Sequence, residues 1–143
     1  MDKIYKTNGI FMRKVIDEFG TIYYYNDNGQ RHRENGPAIE YVNGYKAWWR
    51  NGLLHREDVP AIEYSNGDKA WYKNGKRNRE DEPAVEYEGG DKAWYKNGQC
   101  HREDGPAVEC ANGDKEYWYN NVKYPEIKTD EKWIRFVKLI VFL

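Results

Sequence analysis

Leucine is almost missing from this 143-residue chain, occurring only as Leu53, Leu54, Leu139 and Leu143. That scarcity excludes a leucine-rich repeat, which spends several leucines on every turn of roughly 20–29 residues. Cysteine is scarce too: Cys100 and Cys110 have no partners at zinc-finger spacing. A reducing, cytoplasmic compartment suits such a chain. An excess of one charge is also missing, since 23 Lys and Arg face 24 Asp and Glu for a net charge of -1. No basic stripe is left for phosphate backbones, so nucleic acid is not an expected partner. Long apolar runs are absent as well. The N-terminal MDKIYKTNGIFMRK lacks the apolar core of a signal peptide. The later IRFVKLIVFL is broken by Arg135 and Lys138 and falls short of the ~20 residues that span a bilayer. No membrane, metal or cofactor is therefore expected.

Aromatic residues, by contrast, make up 16% of the chain, and they decide how to read a mean hydropathy of -1.09. Disordered chains are poor in aromatics. This one is expected to fold, on aromatic rather than aliphatic packing. Its organisation is an internal repeat: HRENGPAIEY from His32 returns as HREDVPAIEY from His55, NREDEPAVEY from Asn78 and HREDGPAVEC from His101, every 23 residues. Pro37, Pro60, Pro83 and Pro106 keep the register, and so do Trp48, Trp71, Trp94 and Tyr117. A fixed period of this length marks a repeat architecture.

Turn chemistry sets the class of the unit. Asn-Gly is the strongest short hairpin signal, and it recurs at Asn43-Gly44 and Asn51-Gly52, Asn66-Gly67 and Asn74-Gly75, Asn97-Gly98 and Asn112-Gly113. Gly89-Gly90 fills one such place and Asn120-Asn121 the last. Helices do not survive these interruptions, whereas the runs between them, PAIEY and KAWW, read as strands. The corner before each proline holds Gly36, Val59, Glu82 and Gly105 in successive copies. Valine avoids positive φ, which predicts a corner with negative φ throughout.

A two-residue loop at Asn43-Gly44 would pair Glu40 with Ala47, Ile39 with Trp48 and Ala38 with Trp49. Alternation then predicts a buried face of Tyr41, Ile39 and Trp48, repeated as Tyr64, Ile62 and Trp71, as Tyr87, Val85 and Trp94, and as Cys110, Val108 and Tyr117. The opposite face would carry Ala38, Glu40, Ala47 and Trp49. Continuing through Asn51-Gly52 sets His55 opposite Trp48, stacked on it, and Arg56 opposite Ala47. The HRED run holds an imidazole, a guanidinium and two carboxylates, the equipment of an acid/base or metal site. A catalytic site needs one precise constellation, however, and here four near-copies exist with Asn78 in place of a histidine. The expected role is structural, through hydrogen bonds between repeats and Arg/Glu/Asp pairs, and no enzymatic activity is expected. Cys100 and His101 alternate to opposite faces, which also argues against a Cys/His couple, and Cys100 and Cys110 fall on different sides, which argues against a disulfide.

The tandem HRED(G)PA and NGDKxWY signatures resemble the MORN-variant repeats of bacteria, phages and the large DNA viruses of amoebae. The resemblance covers roughly residues 20 to 121 and departs from the pattern at Val59 and Glu82. It implies an antiparallel β array that binds partners, and some bacterial members are labelled antitoxins.

The expected architecture is thus all-β, a single-domain (1–143) antiparallel β-meander repeat array. Residues 1–27 form an N-terminal cap and degenerate half-repeat, with a capping hairpin around Asn8-Gly9, and 28–121 hold the four repeats. Residues 122–143 form a C-terminal cap. In it Thr129 is the expected N-cap of a helix over 129–143, and Trp133, Phe136, Val137 and Ile140 share one stripe. Such arrays need terminal caps.

For function, the first expectation is a non-enzymatic protein–protein interaction module that presents the ladder Trp49, Tyr72, Tyr95 and Trp118, since aromatics on a rigid sheet make good hot spots. The second is an antitoxin or immunity-type inhibitor in which Glu40, Glu63, Glu86 and Glu109 mimic a row of phosphates. The third is carbohydrate binding by the aromatic row. The partner is then a protein, with a second copy of the chain as one option, in the cytoplasm or, for a viral protein, the host cytoplasm.

Overall fold

The computed structural model describes residues 3–7 and 9–142; Asn8, half of the expected first turn, lies outside them. Two compact units divide the chain between Lys76 and Arg77. The fold is all-β and antiparallel, 19 short strands among the described residues and one C-terminal helix.

The first unit opens with three longer strands, β1 (Lys3–Thr7), β2 (Ile10–Ile16) and β3 (Ile22–Tyr25). Two-residue strands follow: β4 (Ile39–Glu40), β5 (Lys46–Ala47), β6 (Trp49–Arg50), β7 (Leu53–Leu54), β8 (Ile62–Glu63), β9 (Lys69–Ala70), β10 (Tyr72–Lys73) and β11 (Lys76–Arg77), the last ending at the first residue of the second unit. The main sheet of this unit runs β1-β2-β3-β4-β5-β8-β9, while β6 and β7 form a hairpin of their own. In the second unit β12 (Val85–Glu86), β13 (Lys92–Ala93), β16 (Val108–Glu109) and β17 (Lys115–Glu116) make the main sheet. Separate hairpins come from β14 (Tyr95–Lys96) with β15 (Gln99–Cys100) and from β18 (Trp118–Tyr119) with β19 (Val122–Lys123).

The two turns of each repeat differ, and this corrects the expected register. At the second turn Asn51 and Gly52 take φ 48° and 78°, Asn74 and Gly75 51° and 79°, and Asn120 and Asn121 48° and 66°, all suiting a type I′ turn. At the first turn only the glycine is left-handed, as at Gly44 with φ 94°. There the asparagine side chain accepts from the N–H two residues on, Asn43 from Tyr45 at 3.0 Å and Asn112 from Asp114 at 2.9 Å. That Asx turn holds asparagine at negative φ and makes a three-residue loop. The observed pairs are therefore Ile39 with Ala47 and Glu40 with Lys46, one residue away from those expected. Tyr41, Tyr64 and Tyr87, placed by counting on the buried face, start the loops instead and are exposed. Ala38, Ala47, Ala61, Ala70, Ala84, Ala93 and Ala107, placed on the mixed face, are buried.

Trp48 is where the strand leaves the main sheet. Its N–H donates to Ala61 O at 2.8 Å, and its carbonyl accepts from His55 N at 3.0 Å. One residue thus joins the main sheet to the second hairpin, and the alanine methyls beside it let the backbones close in.

The corner before proline departs from expectation in three copies, at Gly36, Asp58 and Asp81, whereas the copy with Gly105 has no positive φ there, as expected. A Cβ on Gly36 would lie 2.9 Å from the Arg33 guanidinium, and one on Gly105 3.2 Å from that of Arg102. Where valine or glutamate stands instead, the preceding aspartate is left-handed, with φ 58° at both Asp58 and Asp81. Val59 N then donates to Glu57 O, and Glu82 N to Glu80 O, each at 2.7 Å. The positive φ has moved one residue back, onto a residue type that tolerates it.

The helix, α1 (Asp130–Val141), starts where Thr129 accepts from Lys132 N, and Asp130 and Glu131 lie in its first turn. Trp133 and Val137 are buried with Tyr117 and Ile127, and Tyr124 and Phe136 pack against them. Trp133 meets Tyr117 with ring centroids 5.5 Å apart and donates its indole N–H to Arg102 O at 3.0 Å. The Tyr117 hydroxyl donates to Asp130 Oδ1 at 2.5 Å. That bond lowers the Asp130 pKa, while burial, followed by the Asp130 contact, raises that of Tyr117.

Candidate functional site

The HRED corners are structural joints. Each arginine donates to the carbonyl of the proline four residues on and pairs with the glutamate seven residues on: Arg33 with Glu40 at 2.7 Å, Arg56 with Glu63 at 3.1 Å, Arg79 with Glu86 at 2.7 Å and Arg102 with Glu109 at 2.9 Å. The guanidinium also covers an aromatic ring. Arg56 lies 3.8 Å from the centroid of Trp48, Arg102 4.1 Å from that of Trp94 and Arg33 4.0 Å from that of Tyr24. His55 does lie opposite Trp48, its N–H donating to Trp48 O, but the cation over the ring is Arg56, which was expected to face Ala47 and whose N–H donates to Tyr72 O. Arginine takes the ring because its planar cation can stack on the face and hydrogen-bond at the rim together.

The histidines fix the second turn of the next copy. Asn51 N–H donates to His32 Nδ1 at 3.0 Å, Asn74 to His55 at 3.2 Å and Asn120 to His101 at 3.2 Å. In the copy without histidine, Asn97 N–H donates to Asn78 Oδ1 at 2.9 Å. The amide oxygen stands in for the ring nitrogen, so the contact needs an acceptor rather than a titrating base. Changing His32, His55 and His101 together to asparagine should therefore cost no more than about 1 kcal/mol per site, the scale of ordinary point mutations. Denaturant melts check this, and a loss of several kcal/mol at any one site contradicts it.

The two rows expected to meet a partner fall on different sheets, the aromatics in four separate two-stranded hairpins. Trp49, Tyr72, Tyr95 and Trp118 lie on β6, β10, β14 and β18, all half-buried, with Tyr95 and Trp118 packed against Trp94, Cys100 and Ala107. Trp118 also donates to Glu116 Oε2 at 3.0 Å, a carboxylate whose pKa is lowered first by its hydrogen bond from Lys123. Glu40, Glu63, Glu86 and Glu109 lie in the main sheets on β4, β8, β12 and β16, each neutralised by its arginine. One face carrying both rows does not form, because the strand changes sheets between them.

Sequence reasoning missed a tyrosine cluster in the first unit. Tyr41 is 44% and Tyr64 39% exposed, and Tyr45 lies between them with ring centroids 4.9 Å and 5.6 Å away. Burial raises the Tyr45 pKa, and the neighbouring hydroxyls of Tyr64, Tyr41 and Tyr72 raise it further, so Tyr72 of the expected ladder borders the cluster. The signal was present as a departure: Tyr45 stands where the other copies have Asp68, Asp91 and Asp114.

Cys100 is buried, and burial pushes its thiol up to about 11, with Glu116 adding to the shift. A thiol so protonated is a poor nucleophile. Both cysteines are free. Among the described residues no group of three or more His, Cys, Asp or Glu side chains is placed to hold a metal ion, and no helix is long and apolar enough to cross a membrane. Set against protein-family models, curated proteins and solved structures, the chain matches none. The class that fold and site define is therefore a β-repeat protein built from repeated antiparallel hairpin units.

Proposed function

We propose that this chain is a non-enzymatic interaction module that binds a protein partner through the tyrosine cluster of its first unit. The observation that carries the reading is the contact of Tyr41, Tyr45 and Tyr64 at a surface where two of the rings stay well exposed. Apolar clusters of this kind mark interaction sites on soluble proteins, and tyrosine is among the commonest hot-spot residues. Of the ladder, Tyr72 then stands at the margin of the cluster, while Tyr95 and Trp118 are half-buried within the second unit. The repeat signatures extend the reading to a MORN-variant protein, host-directed and cytoplasmic if viral.

The same geometry speaks against the other two functions. Arginine pairing neutralises Glu40, Glu63, Glu86 and Glu109, which weakens a phosphate mimic. The aromatic row expected to stack on a sugar, Trp49, Tyr72, Tyr95 and Trp118, is half-buried, which leaves little ring face for one. The test is Tyr45→Asp, which installs the residue that three other copies carry and so should leave folding unchanged. Complexes recovered with the wild-type chain from host lysate should lose roughly 1 to 4 kcal/mol of binding, the range of a hot spot. Unchanged capture by the folded variant contradicts the proposal.

A further inference from the structure

The first strand of the main sheet leaves one edge unpaired. β1 hydrogen-bonds to β2 and to no other strand among the described residues. In the pairing Ile4 meets Arg13 and Lys6 meets Phe11, so these four side chains share a face. All four are exposed, Ile4 by 73% and Phe11 by 49%. Lys6 Nζ lies 5.1 Å from the Phe11 ring centroid. Between Lys3 and Ile16 stand Lys3, Lys6, Arg13 and Lys14 with no carboxylate. The chain as a whole is nearly neutral, so this hairpin is its local cationic pole.

The direction of the free backbone groups follows from an equivalent hairpin in the same unit. There Arg50 and Leu53 close a two-residue turn, Trp48 O accepts from His55 N inside the hairpin, and Trp49 O points outward and accepts from Arg33 N at 3.1 Å. Thr7 and Ile10 likewise close over two intervening residues. Counting back, Lys6 and Ile4 direct their N–H and C=O to the open edge. A strand added there meets an apolar side chain and a cation on the exposed face, and Lys3 on the other.

We propose that β1 is a docking edge that takes an extended acidic segment of a partner protein as an added antiparallel strand. Main-chain hydrogen bonds to Ile4 and Lys6 supply the affinity, and alternate side chains supply the selectivity. Opposite Lys6, Tyr5, Ile4 and Lys3 in turn, the segment reads acidic, any residue, apolar, acidic. A second copy of this chain is the wrong occupant. Pairing β1 with its own copy gathers Lys3 and Lys6 from each side along one seam, and like charges across a strand pair are destabilising. The edge is independent of the tyrosine cluster, so Tyr45→Asp leaves it intact and the two readings fail separately.

The experiment uses the whole chain as bait for a random peptide library displayed on phage. Enriched peptides should share the acidic-x-apolar-acidic pattern, and their affinity should fall about tenfold or more for Lys3→Glu/Lys6→Glu. Ile4→Pro removes one outward N–H without changing charge and should weaken the same peptides at unchanged circular dichroism. Selection of basic or unpatterned peptides, no selection at all, or affinity indifferent to the charge reversal overturns the proposal. So does a dimer in sedimentation that Ile4→Pro dissolves, or capture by phosphatidylserine vesicles in place of any peptide.

Discussion

Trp133→Ala should cost the second unit about 3 to 5 kcal/mol, the usual penalty for emptying a buried tryptophan site. The residue is 0% exposed, and three aromatic neighbours, Tyr117, Tyr124 and Phe136, lie with ring centroids within 5.7 Å of its own. Removing it also leaves the Arg102 carbonyl without its indole donor. The size of the effect follows from the place Trp133 occupies. Trp94 is covered by Arg102 eight residues on, and the same offset from Tyr117 falls on Pro125, which has no side chain able to stack in that way. The helix supplies the missing cover. Leu139→Ala, on the same helix but 67% exposed, should stay within about 0.5 kcal/mol of wild type. Equal shifts of the two variants in urea melts would mean that the helix does not cap the unit.

The repeat, its period, its all-β class and the capping helix were legible because they rest on local chemistry. Proline, Asn-Gly and a stripe of Trp133, Phe136 and Val137 each dictate their own backbone. The N-terminal hairpin was legible for the same reason, with Thr7 pairing Ile10. The faces were not. Asn-Gly permits two loops that both end in a left-handed glycine, and which one forms depends on whether the asparagine caps the N–H two residues on or gives its own N–H to a histidine or asparagine from the previous copy. The first case is local and the second is not. A one-residue difference shifts the cross-strand partners, which is why Tyr41 and Tyr64 were read as core and Ala38 and Ala47 as surface.

The candidate site shows the same division. That the histidines are joints could be argued from Asn78, because a copy that works without an imidazole limits what the imidazole does. Which side chain stacks on Trp48 could not, since the cover comes from Arg56, whose backbone pairs with Tyr72 of the following hairpin rather than with the strand that carries Trp48. The tyrosine cluster lies in the departures from the repeat. Four equivalent positions set a structural consensus of aspartate, and the one tyrosine among them is free to serve something other than the turn.

The central claim is that each 23-residue copy is an equivalent structural unit joined to the next by its arginine and its histidine or asparagine. It is tested most directly by comparing two deletions. Removing Asn51 through Lys73 joins Arg50 to Asn74, and Asn51 and Asn74 have matching φ of 48° and 51°. The shortened chain keeps every joint type, because neighbouring copies stabilise one another pairwise. Removing only residues 51–61 deletes the second turn, His55, Arg56 and the corner while leaving Trp48 and Glu63 uncovered. Circular dichroism with thermal melts should show the larger deletion folded and cooperative, at a lower melting temperature than the full chain, and the smaller one without a cooperative transition. A smaller deletion that folds as well as the larger would contradict the period and the joints together.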